Sequence, residues 1–196
     1  SYLLLYIIAL HMSLNRKFEM NRGYFAMGVE GISKPGNVGN LVRSSHSFGA
    51  SFFFTIDPLV NIREVSRTDT SEAFNHLPLY DFESVDAMRL PKKCQLVGIE
   101  LMEDSVELPS FRHPLRAAYV LGRERGSLSP ELVEKCDHII KIPMQFCVNV
   151  GVAGAIVMYD RLVSMGRFAP RPVQAGGPTE FLPDHVHGEQ IIRTKK

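Results

Sequence analysis

The 196-residue chain has no tryptophan and only three cysteines, Cys94, Cys136 and Cys147, with no C-x-x-C pair. An odd, scattered set excludes a disulfide framework and a zinc ribbon, and it fits a reducing cytoplasm. Neither sign of charge is in excess: 22 Lys and Arg face 21 Asp and Glu, a net charge of +1. A bulk-basic nucleic-acid binder is therefore excluded, though a local basic patch is not. Long hydrophobic runs are missing as well. Residues 1–10 are apolar, but a membrane-spanning helix needs about 20 such residues. That segment has no basic start and no small-residue cleavage site, so it does not read as a signal peptide, and no membrane partner is expected. Residues 1–11, ahead of Met12, are expected to be a vector-derived remnant or an N-terminal extension.

The composition, 45% apolar and 22% charged, is that of a globular protein with a sizeable core. The length fits one domain, expected over 12–166. Residues 167–196 are rich in proline and glycine and end on Arg193, Lys195 and Lys196, which predicts a solvated tail. Asp184, His185 and His187 in that tail have metal-ligand types, but no metal is expected there.

Apolar runs bounded by turn residues predict strands at 24–29, 51–56, 95–101, 117–121 and 138–142. Between them lie helical patterns. Asn37 can cap a helix that begins near Val38, carries Leu41, Val42, Ser45 and Phe48 at helical spacing, and stops at Gly49. Ser129, Pro130 and Glu131 open a second helix that ends near Cys136. Residues 149–165 predict the strongest helix, closed by Gly166. Residues 83–89 predict a short helix, while 59–78 and 102–114 read as irregular. Strands that are apolar on both faces and alternate with helices argue for an α/β fold, a mostly parallel sheet flanked by helices on both sides.

Three segments follow predicted strands, where parallel α/β sheets bind ligands. In the first, Gly39 admits a close backbone approach, Asn37 and Asn40 offer amides, and Arg43 lies one to two turns into the helix. An Arg on a core-facing helix needs an anionic partner such as phosphate or carboxylate; otherwise it is an ordinary surface residue behind an ordinary cap. In the second, Gly122 directly follows a strand, with Arg123, Glu124, Arg125 and Gly126 behind it. This is neither G-x-G-x-x-G nor a Walker loop, so it reads as a ligand-facing turn or a solvated one. In the third, Ile142, Pro143 and Met144 lead through Cys147 to Asn149 and a helix rich in small residues. Gly151, Ala153, Gly154 and Ala155 predict close helix packing or a subunit contact. Cys147 near a helix start is either a thiol of lowered pKa or a small packing residue.

Taken in order, these segments resemble the SpoU (TrmH-type) branch of the SPOUT RNA methyltransferases. The family's N-x-G-(N/A)-x-x-R motif is matched by Asn37, Gly39, Asn40 and Arg43, and its G-x-E turn by Gly122 and Glu124. Its I-P-M segment leading to Asn-Val is matched by Ile142, Pro143, Met144, Val148, Asn149 and Val150. The resemblance spans roughly 24–165. It implies a C-terminal deep trefoil knot, a homodimer with the active site at the interface, and S-adenosylmethionine as methyl donor. The implied reaction is methyl transfer to a ribose 2′-hydroxyl of tRNA or rRNA; DNA is not an expected partner.

The resemblance also implies roles. Arg43 is the central catalytic residue, and a guanidinium that stays protonated suits a clamp on phosphate and developing alkoxide better than a base. Asn37 fixes the ribose or Arg43, Glu124 orients the turn or an Arg, and Asn149 holds the knotted loop or the substrate. Ile99, Glu100, Gly122, Ile142 and Val148 fall at the cofactor loops. RNA contacts are expected from Arg43, Asn40, Arg63 and Arg67, with Arg16, Lys17 and the basic tail as further surface. Two departures stand out: Cys147 occupies a place where the family usually has serine, and Arg125 and Ser127 stand where it usually has glycine. They admit a catalytically silent RNA-binding relative as the alternative. From the residues alone, a doubly wound domain binding a nucleotide or an acidic metabolite is the other reading.

Overall fold

The structure, a computed structural model, describes residues 23–62, 64–65, 73–123, 126–166, 168, 171–172 and 175–177. Among them run β1 (Tyr24–Glu30), α1 (Pro35–Ser47), β2 (Phe52–Ile56), α2 (Ala73–His76), β3 (Leu79–Phe82), β4 (Gln95–Ile99) and β5 (Val106–Glu107). A single 3-10 turn (Leu108–Ser110) leads to β6 (Arg116–Leu121), α3 (Pro130–Lys135), β7 (His138–Lys141) and α4 (Val150–Met165). The strands form one seven-stranded sheet in the order β3-β2-β1-β6-β4-β7-β5. Every pairing is parallel, with Met27 of β1 opposite Phe53 on one side and Tyr119 on the other. The sheet and its helices lie within a compact unit, Asn21–Met165.

Strand residues alternate between two cores, as the two-residue period of a pleat requires. Phe25, Met27, Val29, Phe53, Val97, Tyr119 and Leu121 pack with Val38, Leu41 and Val42 of α1 and with Ala153, Val157 and Met158 of α4. Ala26, Phe52, Phe54, Leu96, Ala118 and Val120 pack on the opposite face with Leu132 of α3. Both faces are covered, which explains why the central strands are apolar throughout.

The predicted central strands stand within a residue or two of their expected limits, and Ser129 caps α3 as expected, its Oγ accepting from Leu132 N at 3.2 Å. Four expectations differ, one being the short helix Ala73–His76 inside 59–78, read as irregular. The first helix starts at Pro35, with Lys34 as the cap residue, so Asn37 lies inside its first turn. Proline suits the first turn, where its missing N–H has no partner to lose. Residues 83–89 form turns rather than a helix, with Ser84 Oγ accepting from Ala87 N at 3.1 Å. Leu79–Phe82, where no element is predicted, and Val106–Glu107, within the stretch read as irregular, are the two edge strands. An edge strand gains its pairing from one neighbour, so its own sequence need not be apolar on both faces.

α4 is fastened by a polar cluster that no motif announced. Arg161 is only 2% exposed. It donates to the carbonyls of Pro114 at 2.7 Å, Leu115 at 3.2 Å and Tyr24 at 3.4 Å, and to Tyr119 Oη at 3.1 Å. Its guanidinium also lies over the Phe25 ring, 5.3 Å from the centroid. A buried cation is tolerable only with such partners.

Candidate active site

The loops after β4, β6 and β7 and the start of α1 surround a cavity of about 300 Å³. That volume is at the lower end of small-molecule sites. All five residues expected at the cofactor line it: Ile99, Glu100, Gly122, Ile142 and Val148. Ile99 and Ile142 are buried walls, while Val148 is exposed at the mouth. Gly122 has a steric reason to be glycine, because a Cβ there would stand 2.8 Å from Leu128 N, a backbone atom with no room to move. Glu100 lines the cavity with both carboxylate oxygens engaged: Oε1 accepts from Leu101 N at 2.9 Å and Oε2 from Leu128 N at 2.8 Å.

Asn37 and Asn149 meet across this space, Asn149 Nδ2 donating to Asn37 Oδ1 at 3.0 Å. The same Asn149 caps α4: its Oδ1 accepts from Gly151 N at 2.8 Å and its carbonyl from Ala153 N at 2.9 Å. The first and third motif segments, 112 residues apart at this pair, are thus joined through their side-chain amides.

A second groove, of about 520 Å³, runs between α1 and α4. Asn40, Arg43 and Ser44 line one end, and Val152, Ala155 and Tyr159 continue it as an apolar wall. Asn149 lines both groove and cavity, so the two adjoin there. Arg43 is exposed and makes no hydrogen bond or ion pair among the described residues. Burial therefore does not demand an anionic partner for it: the buried stripe of α1 is Val38, Leu41, Val42 and Ser45, and Arg43 lies off it. Asn40 is exposed beside it.

Arg63, Arg67 and Glu124 lie outside the described residues, as do Arg16, Lys17, Arg125 and the tail positions Asp184, His185 and His187. Among the described residues no group of three His, Cys, Asp or Glu is placed to hold a metal. Cys147 is exposed and lines the cavity. Three lining cations, Lys34, Arg123 and Lys141, had no site role in the sequence reading. Arg123 borders the cavity and stands 3.8 Å from Asp57, a long and exposed ion pair. Its only signal was a place in the turn after β6.

Comparison with known proteins bears on this arrangement. The chain is 29% identical over 138 residues to the mouse tRNA (guanosine(18)-2'-O)-methyltransferase TARBP1, covering 66% of this chain and 9% of that protein. It is 28% identical over 152 residues to the 23S rRNA (guanosine-2'-O-)-methyltransferase RlmB of Coxiella burnetii, covering 74% of this chain and 59% of that one. The chain thus matches under a tenth of the mouse relative and about three fifths of the bacterial one. Among solved structures, the SpoU methyltransferase AviRb from Streptomyces viridochromogenes superposes with a TM-score of 0.65 at 19% identity, covering 78% of this chain and 63% of that chain. The same enzyme in complex with the cofactor AdoMet superposes with a TM-score of 0.64 at 19% identity, covering 75% and 62%. At that identity the likeness speaks for the fold. The sequence model of the SpoU rRNA Methylase family matches residues 25–159, more than half of the chain, and the protein belongs to that family.

Proposed function

We propose that this protein transfers a methyl group from S-adenosylmethionine to a ribose 2′-hydroxyl of tRNA or rRNA. The observation that carries the reading is the junction at Asn149, where the cavity lined by Ile99, Gly122 and Ile142 opens beside the groove holding Arg43. The cavity suits the cofactor: apolar walls take an adenine, and a loop closed at a glycine brings backbone groups near. When bound, S-adenosylmethionine supplies an electrophilic methyl whose sulfur departs as a neutral thioether, so no leaving-group acid is needed.

The chain's task is then to align the hydroxyl and to stabilise charge as its proton is lost. Arg43, exposed and unpartnered among the described residues, takes that charge or an adjacent phosphate with its fork of donors. A guanidinium remains protonated, so it acts as a clamp and not as the base. Asn149 holds Asn37 and the start of α4 in register with the cavity. Glu124 is assigned to orienting the turn after Gly122, on the family resemblance. Arg43, Asn40, Arg63 and Arg67 are assigned to the RNA.

Arg43→Ala should lower methylation of a tRNA or rRNA acceptor by about 10²–10³-fold, the loss typical of one charge-stabilising donor. Its affinity for S-adenosylhomocysteine, read by calorimetry, should stay near wild type. Undiminished turnover would remove Arg43 from the mechanism, and the silent RNA-binding alternative gains only if wild type neither binds the product nor methylates.

Two wider features belong to the same proposal. The active protein is a cytoplasmic homodimer with its sites at the interface; the exposed apolar face of α4, with Tyr159 56% and Val152 49% exposed, supports this. Among the described residues no helix is long and apolar enough to cross a membrane. The C-terminal third is proposed to be threaded as a trefoil knot. Its support is the return of α4 from β7, near one edge of the sheet, to pack against α1. Pulling the unfolded chain by its ends should then leave a contour shorter than its length predicts; full extension argues against the knot.

A further inference from the structure

After β6 the chain passes back close to itself: a Cβ on Gly122 would stand 2.8 Å from Leu128 N, so Gly122 and Leu128 form a narrow neck, and Gly122, Arg123 and Gly126 line the cavity. The two backbone amides at its neck face two different carboxylates. Leu128 N donates to Glu100 Oε2 at 2.8 Å, and Ser129 N donates to Glu30 Oε2 at 2.8 Å. Glu30 ends β1, and Glu100 directly follows β4. In the sheet β6 lies between those two strands, so its loop is gripped by one carboxylate from each neighbour.

Glu30 is 2% exposed, a burial that a carboxylate tolerates only when hydrogen-bonded. Glu100 is a bridge: its other oxygen accepts from Leu101 N at 2.9 Å, so one side chain ties the loop after β4 to the loop after β6. Both loops supply residues of the cavity lining. We infer that Glu30 and Glu100 are positioning residues for the methyl donor, clasping the neck between Gly122 and Leu128 so that Gly122, Arg123 and Gly126 stand preformed in the cavity lining. The inference rests on the reading of the cavity as the cofactor site. It changes the expected role of Glu100 from contact to strut.

An alanine at 100 removes both acceptors and frees the amide of Leu128. A glutamine at 30 can keep its one amide contact, whereas an alanine cannot. The test is calorimetric titration with S-adenosylhomocysteine, together with amide exchange at Leu128 and Ser129. Glu100→Ala and Glu30→Ala should weaken binding roughly tenfold or more, the worth of one hydrogen bond to a charged group. Exchange should speed up at Leu128 in the first and at Ser129 in the second, while Glu30→Gln stays near wild type in both. Faster exchange with unchanged affinity overturns the inference, since the loop would not position the ligand. Lost affinity with unchanged exchange overturns it too, since Glu100 would then be touching the ligand itself. Should Glu30→Ala fail to fold, Glu100→Ala and Glu30→Gln decide the matter alone. A wild-type protein that does not bind S-adenosylhomocysteine overturns the cofactor reading; a wild type that binds, with variants that bind equally, overturns only the clasp.

Discussion

Asn149 works with both ends of its amide, one on Asn37 and one on the first turn of α4. Motif spacing picked out both asparagines, but their direct contact came from folding two segments together. Arg43 illustrates the opposite case. Its place off the 38, 41, 42, 45 stripe was readable from helical periodicity, and an exposed cation follows from it. Cys147 permits a direct check of where the cofactor sits. Cys94 and Cys136 are half-buried with thiol pKa values raised by burial, Cys136 to about 12, whereas Cys147 is exposed. An alkylating reagent at neutral pH should therefore modify Cys147 first, since the thiolate is the reactive form. Because Cys147 lines the cavity, saturating S-adenosylhomocysteine should slow that labelling several-fold, as read by intact mass. Labelling indifferent to the ligand would place the cofactor elsewhere.

Among the elements, α4 shows how a small-residue run is shared between two demands. Ala153 and Gly154 face the core, and a Cβ on Gly154 would stand 2.6 Å from Leu41 Cδ2, so those positions allow α1 and α4 to approach. Ala153 is therefore taken up by the core, and the proposed subunit contact is assigned to the opposite face, where Val152 and Tyr159 are exposed. At its far end α4 is coupled to pH. His113 Nε2 lies 2.9 Å from Asp160 Oδ2, and its Nδ1 lies 2.6 Å from Tyr119 Oη, with Arg161 close by. Burial lowers the His113 pKa below 6.5, the hydrogen bond to Asp160 only partly offsetting it. A lowered histidine pKa means the unfolded chain binds the extra proton first. The contribution of His113 is thus complete above about pH 6.5 and is lost as pH falls from there through the folded value. The denaturant midpoint should drop between about pH 7.5 and 5.5, and His113→Gln should flatten that drop. An identical slope in the variant would show that other groups carry it.

For the whole molecule, the apolar face of α4 carries the prediction about assembly. Val152→Arg or Tyr159→Asp changes exposed residues, leaves the core intact, and should yield monomers in sedimentation. A dimer unchanged by both would put the interface on another surface. Because Val152 and Tyr159 share their groove with Arg43, monomers should also lose methylation while still folding.

By itself the sequence determined the alternation of strands and helices, the central strands, the α/β class and the motif residues of the site. Those features are local: a strand covered on both faces must be apolar at every position, and a cap or a close turn needs a particular residue. Tertiary structure decided the rest. Edge strands β3 and β5 exist because a neighbour offers hydrogen bonds, and Tyr80 and Asp81 of β3 remain exposed. The carboxylates of Glu30 and Glu100 acquire their task only when strand order sets β6 between them. Arg161 becomes a buried anchor only because carbonyls at 24, 114 and 115 converge on it. Such pairings join residues far apart in the chain, and no period or motif records them, since hydrogen bonding depends on where atoms meet and not on their order along the backbone.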